Sequence, residues 1–263
     1  MNLTFVTAFI DLKEDRSSYR TIEKSFELFK SIAESNLNIT CFLSKSFIDK
    51  TKTWGENIKI IPIDFEELDT YKTVKNILSK EKKIILPKYR NEIKDTLNFM
   101  ILMNSKFEFM QRAIQLETFK SNYCWLDFNI CHVFKDKLNS INYLVNLNKK
   151  INIEKNTVYF PGCWSQGTNT NTLYDQINWR FCGGFFIGDV EGILNFYNLF
   201  KKHFPFILFN RNITWETNIW VYLELINKQE LSSEENFFKG VCSEYINIKW
   251  FSADHDDSII KVV

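Results

Sequence analysis

The stretch Trp125-Leu126-Asp127-Phe128-Asn129 ends an apolar run in a carboxylate and places an amide oxygen two residues on. Alternate residues of an extended segment point the same way, so Asp127 and Asn129 would face one ion if the strand runs through both. Two oxygens at a strand tip suit a hard cation such as Mn²⁺ or Mg²⁺. Such an ion would bridge the diphosphate oxygens of a nucleotide substrate. Asp and Asn are also ordinary turn formers, and that reading stands beside the first. Gly183-Gly184 sits inside an aromatic, apolar run. A glycine there admits a ligand or a second chain to the backbone, or marks a bulge. Glu216 opens a helical pattern after Thr214, a plausible cap. It is a carboxylate placed to take a proton, though the helix dipole alone favours an acid there. Asp189 is a rival carboxylate whose position before a helical pattern also fits a cap. Trp164, Trp179, Trp215 and Trp220 offer flat faces that suit sugar rings or the core equally.

Other chemistries are poorly served. There is no GxGxxG, no GxxxxGK[ST], no HExxH and no GxSxG. The three histidines, His132, His203 and His255, leave little room for a histidine-based triad. The six cysteines form no CxxC and no zinc-finger spacing, and read as reduced, partly buried thiols.

The elements that must carry these residues alternate. Leu3 to Ile10 reads as a strand. Ser17 to Ser35 has the 3–4 spacing of an amphipathic helix. Ile39 to Leu43 and Ile58 to Ile63 are short apolar runs. Helical patterns cover 66–82 and, as one or two long helices, Arg90 to Phe119. Tyr123 to Asp127 is a buried strand, and 134–148 a helix. Thr157 to Phe160 and Arg180 to Ile187 are strand candidates. Helices follow at Val190 to His203 and Thr214 to Asn227, then a strand at Ile246 to Phe251. Strands alternating with helices imply an α/β fold, Rossmann-like, with a mostly parallel sheet flanked by helices. Ligands of such sheets bind beyond the C-terminal strand ends.

The 263 residues suit one large domain. Lys+Arg number 33 against 32 Asp+Glu, a balance that argues against a nucleic-acid coat protein. No apolar run is long enough to span a bilayer, and Met1 to Ile10 lacks the basic leader of a secretory signal. A cytoplasmic location is expected, with peripheral membrane contact left open by the abundance of Phe.

The residues taken in order resemble a known pattern. Thr4-Phe5-Val6-Thr7-Ala8-Phe9 is followed by Arg16 and an amphipathic helix. A helix carrying Asn104, Lys106 and Ala113 precedes Tyr123 to Asp127. Then come Arg180 to Gly188, Trp215-Glu216-Thr217-Asn218, and Trp250 with Asp254-His255-Asp256. This order resembles GT-A glycosyltransferases, and the TFVTAF start is similar to that of the bacterial HtrL/YibB family. The resemblance implies a transferase moving a sugar from a nucleotide-sugar donor, a UDP-sugar as first expectation, to a glycan acceptor. It makes residues 1–130 a nucleotide-binding half and 131–263 an acceptor-side half, and places Asp127 and Asn129 at the two ends of a DxD metal motif, with Asn where the pattern has Asp. His255, or a neighbouring Asp, would complete the metal site. Thr7, Ala8 and Phe9 would lie beside the nucleobase and ribose, and Arg16 would reach the diphosphate. Lys106 would contact the nucleotide, where a solvated helix face is the plainer reading. Gly183 and Gly184 would touch the transferred sugar, and Glu216, or else Asp189, would be the base of an inverting reaction. Two other readings remain: a sugar-phosphate nucleotidyltransferase, disfavoured because Thr7 to Arg16 has no Gly, and a non-catalytic nucleotide- or glycan-binding protein.

Overall fold

The computed structural model describes residues 3–14, 20–80, 83–116, 122–165, 172–210, 212–234 and 246–253. Arg16 and His255, with its acidic neighbours, lie outside them. The strands are β1 (Leu3–Phe9), β2 (Ile39–Leu43), β3 (Ile58–Pro62), β4 (Asn122–Leu126), β5 (Thr157–Gly162), β6 (Phe185–Gly188) and β7 (Asn247–Ser252). The helices are α1 (Ile22–Ala33), α2 (Asp69–Leu78), α3 (Leu97–Asn104), α4 (Lys106–Gln115), α5 (Lys137–Lys150), α6 (Val190–Phe209) and α7 (Glu216–Glu234). The strands form one sheet in the order β3-β2-β1-β4-β6-β5-β7. Only β6 runs against its neighbours, β4 and β5; the other pairings are parallel. The α/β architecture with a mostly parallel sheet is as the alternation of patterns implies.

Both faces of this sheet are buried, and strand alternation divides the core in two. On one face Val6, Trp125, Val158, Phe160 and Phe186 pack with residues of α2, α3, α4, α6 and α7. On the other face Phe5, Cys124, Leu126, Tyr159, Phe185 and Ile187 pack with α1 and α5. The inner strands β2, β4, β5 and β6 are therefore buried almost throughout, while the edge strands β3 and β7 are only partly covered. Phe107 of α4 ties the first face together. Its ring stacks on Phe186 at 4.4 Å and on Phe196 at 4.2 Å, and meets Trp220 edge-on at 5.7 Å. Such aromatic pairs add about 0.5–1.5 kcal/mol each beyond area burial, and they fix the first turn of α4 over the sheet.

The 90–119 region, expected as one or two long helices, is two, with the first starting only at Leu97; Ser105 stands between α3 and α4, its hydroxyl bonding back to the Ile101 carbonyl at 2.8 Å. One expected element differs. The strand expected over Arg180 to Ile187 is confined to Phe185–Gly188. Gly183 and Gly184 form a turn in front of it rather than lying within it.

Candidate active site

The C-terminal ends of β1 and β4 and the start of antiparallel β6 meet at one edge of the sheet. A cavity of about 780 Å³ opens there, within the range of small-molecule sites. Its wall includes Ala8, Phe9, Asp127, Asn129, Gly183, Gly184 and Glu216. Seven expected site residues, scattered over more than two hundred positions, are thus brought to one cavity.

Two of these wall carboxylates, Asp127 and Glu216, share one buried lysine in an ionic trio. Lys106 is 1% exposed, and its ammonium sits 2.9 Å from Asp127 Oδ1 and 2.8 Å from Glu216 Oε1. It also donates to the Gly183 carbonyl at 2.8 Å. An ammonium has three protons, and these three partners account for them. Burial alone would pull the lysine pKa down. The carboxylates of Asp127 and Glu216 outweigh that penalty and hold it above the ordinary lysine value. Lys106 is therefore neither the solvated cation its residue type suggests nor part of the cavity wall where donor contact was expected. The stacked Phe107 beside it and the apolar stripe Met110 and Ala113 carry it inward.

Asp127 follows the last residue of β4. Its backbone N–H donates to the Gly184 carbonyl at 2.9 Å, and the Trp125 indole N–H donates to its Oδ1 at 2.6 Å. The chain then turns: the Ile130 N–H donates to the Asp127 carbonyl at 2.9 Å. Asp127 and Asn129 are thus joined by a turn, not by the extended segment expected. Both still line the cavity, and Asn129 Oδ1 is buried without a hydrogen-bond partner.

Glu216 is the first residue of α7 and 6% exposed. The segment before it is anchored twice. Asn104 Nδ2 donates to the Thr214 carbonyl at 2.9 Å, and the Thr214 hydroxyl donates to the Leu173 carbonyl at 2.8 Å. Asn218, one turn on, donates to the carbonyls of Leu173 and Gln176, which ties the start of α7 to the segment that holds them. The glycine turn completes the arrangement. A Cβ on Gly183 would stand 2.1 Å from Glu216 Oε1 and 3.2 Å from Lys106 Nζ. A Cβ on Gly184 would stand 2.7 Å from Ile130 Cδ1. The missing side chain at Gly183 makes room for the trio.

The remaining expectations divide. Ala8 and Phe9 line the cavity, Phe9 stacked on Phe128 at 4.6 Å. Thr7 is buried one residue short of the wall, with its hydroxyl unpartnered. Asp189 sits at the opposite end of the sheet, where Gly188 pairs with Tyr123 at the start of β4. Its carboxylate caps α6, accepting from the N–H groups of Gly192 at 2.9 Å, Thr157 at 2.9 Å and Asn156 at 3.0 Å. It is not a base for this cavity. Sequence reasoning missed Glu14, Arg20, Lys94 and His132, all in the wall; Asp11, at the end of the first strand where ligands were expected, is there too. The ring of His132 bonds the Asn129 carbonyl through Nδ1 at 2.6 Å and so braces the turn. Among the described residues, no group of three or more His, Cys, Asp or Glu could by itself hold a metal.

A comparison with curated proteins found no match. Among solved structures, the chain is similar to the apo crystal structure of mouse xyloside xylosyltransferase 1, at 11% identity and a TM-score of 0.46, over 87% of this chain and 83% of that one. Over residues 1–232 it matches the model of HtrL_YibB, described as bacterial protein of unknown function, and the chain belongs to that family.

Proposed function

We propose that this protein is a glycosyltransferase of the GT-A type that takes a sugar from a nucleotide-sugar donor. The observation that carries the reading is the Asp127–Lys106–Glu216 trio at the strand ends, one carboxylate reaching the cavity from β4 and another from α7. A trio of two carboxylates and one ammonium keeps a net negative charge. Asp11, Glu14 and Glu23 add to it in the wall, against Arg20 and Lys94. A diphosphate entering such a wall needs a counter-cation.

The residues present fit a divalent ion. Asn129 Oδ1 is a buried acceptor with no partner, in the same wall as the Asp127 carboxylate. Asp127 and Asn129 would hold Mn²⁺ or Mg²⁺, which usually completes its shell with water and substrate phosphate. When bound, the ion would neutralise charge on the leaving diphosphate.

The protein's own part follows from position. Phe9 and Ala8 present an apolar shelf to the donor. Lys106 fixes Asp127 and Glu216 relative to each other, as a positioning residue. Glu216 is the acceptor-side base in an inverting reaction. The acceptor oxygen bonds to the anomeric carbon as the bond from that carbon to the phosphate oxygen breaks, and the hydroxyl proton passes to Glu216. The nucleoside diphosphate leaves.

The test is a thermal-shift panel of UDP-, GDP-, CMP- and dTDP-sugars, each with and without Mn²⁺. A ligand that binds only the folded state raises the melting temperature. The expected result is a rise with one nucleotide class, larger with Mn²⁺ and lost in Asp127→Ala. No rise with any donor, in folded protein, would return the reading to a protein that binds some other ligand.

A further inference from the structure

Most large apolar side chains among the described residues are buried, but four exposed ones stand on segments that run into the cavity wall. Ile85, Tyr89, Phe206 and Phe209 are each more than half exposed, at 54%, 65%, 59% and 58%. Backbone contacts bring their segments together. Ile85 pairs with Asn212, three residues beyond Phe209, and the Ile213 N–H donates to the Ile85 carbonyl at 3.2 Å. The Tyr89 N–H donates to the carbonyl of Asp175, next to the exposed Tyr174, at 2.9 Å. Phe206 and Phe209 lie three apart on α6 and share a face with Lys202, four residues before Phe206.

The charge around this patch is one-sided. Residues 83–90 carry Lys83, Lys88 and Arg90, and residues 201–210 carry Lys201 and Lys202. Neither segment contains an Asp or Glu, in a chain whose bases and acids number 33 and 32. Glu81 and Glu92 border the first segment in sequence, Glu92 lying 3.4 Å from Arg90, and Asp175 is joined to Tyr89 through its carbonyl. Exposed aromatic and aliphatic side chains set among cations match a surface with an apolar interior and an anionic face.

The patch also has a fixed relation to the cavity. All three segments that build it run on into the cavity wall: Tyr89 to Lys94, Tyr174 to Ile177, and Phe209 to Trp215 and Glu216. The longest of these steps is a few residues, so patch and wall lie within about 20 Å of chain.

We propose that this face docks on an anionic lipid bilayer, peripherally, with the cavity beside the lipid surface. Among the described residues no helix is long and apolar enough to cross a membrane. Docking of this kind would present to the cavity a substrate carried on lipid. The inference stands on the surface alone and does not require the transferase reading.

The experiment is vesicle flotation of the full chain, with phosphatidylcholine alone and with phosphatidylcholine mixed with phosphatidylglycerol. The expected result is flotation with the anionic vesicles only, weakened by salt. Lys88→Glu/Lys202→Glu should reduce the bound fraction more than about tenfold. Phe206→Ser/Phe209→Ser should reduce it too, with the melting temperature of either variant kept near wild type. If the Phe variant fails to fold, the charge variant decides. Absence of binding to anionic vesicles, or binding that the folded variants leave unchanged, would overturn the proposal. So would a self-association in sedimentation velocity that the Phe substitutions abolish, since a second copy would then cover the face.

Discussion

Replacing Lys106 by Met keeps the length of the side chain and removes its charge. Two carboxylates would then face the same vacated point, 2.9 and 2.8 Å away in the wild type, and the Gly183 carbonyl would lose its donor. The Lys106–Glu216 pair decides the magnitude, because both members are almost wholly buried, at 1% and 7% side-chain exposure. Asp127, at 32%, is partly screened by water and contributes less. Removing one partner of a buried ion pair costs roughly 3–5 kcal/mol, since the other charge is left uncompensated. For a chain of this size each kcal/mol shifts the melting temperature by about 2–4 °C, so Lys106→Met should lower it by roughly 6–20 °C. Differential scanning calorimetry at neutral pH reads this directly. The stronger check is the double variant Lys106→Met/Glu216→Leu. It removes the stranded buried charge and should melt above Lys106→Met alone. A Lys106→Met protein that melts within 2–4 °C of wild type, the shift of about 1 kcal/mol, would refute the buried trio. A double variant less stable than the single would refute the reasoning about the stranded carboxylate.

Three further outcomes are expected. Gly183→Ala places a methyl 2.1 Å from Glu216 Oε1 and must displace that carboxylate, so it should cost about 1–3 kcal/mol in thermal unfolding and abolish the donor-dependent shift. Asp189→Ala strips three N–H groups of their acceptor and should cost about 2 kcal/mol, while the donor response measured by the same thermal shift stays as in wild type. The raised Lys106 pKa makes its contribution fully present below the ordinary lysine value of 10.5, and lost only as pH climbs through the higher folded value. The melting-temperature gap between wild type and Lys106→Met, followed by calorimetry, should therefore hold from about pH 8 to pH 10, and should narrow at lower pH as the carboxylates stranded in the variant take up protons.

Much of the frame is written in local patterns. Ile22, Phe26, Phe29, Ile32 and Ala33 carry helical spacing, and the residues of α1 face the sheet as that spacing requires. The apolar run Tyr123 to Leu126 is a central strand because both of its faces are covered. Strand order is not local, and nothing in the run Phe185 to Gly188 says that it alone is reversed. Glycine was misread for a related reason: an aromatic run with two glycines looks like one strand, but the pair ends it in a turn. Lys106 was the larger surprise. Its spacing to Met110 and Ala113 put it on the apolar stripe of α4, and that signal was available. Residue type argued for solvent, and only the two carboxylates, supplied from β4 and α7, make burial tolerable. Asp189 was the reverse case, since its position before Val190 already spelled a cap.

The most direct test of the central claim is release of the nucleotide leaving group, a nucleoside diphosphate or, from a CMP-sugar, CMP, from the nucleotide sugar that produces the thermal shift. Wild type, Asp127→Ala and Asp189→Ala would be assayed side by side with Mn²⁺. Wild type and Asp189→Ala should release it, slowly by hydrolysis and faster with a glycan acceptor, and Asp127→Ala should not. Binding of the donor with no release by folded wild type, with acceptor glycans present, would contradict the transferase account and leave a nucleotide-sugar-binding protein on the same fold.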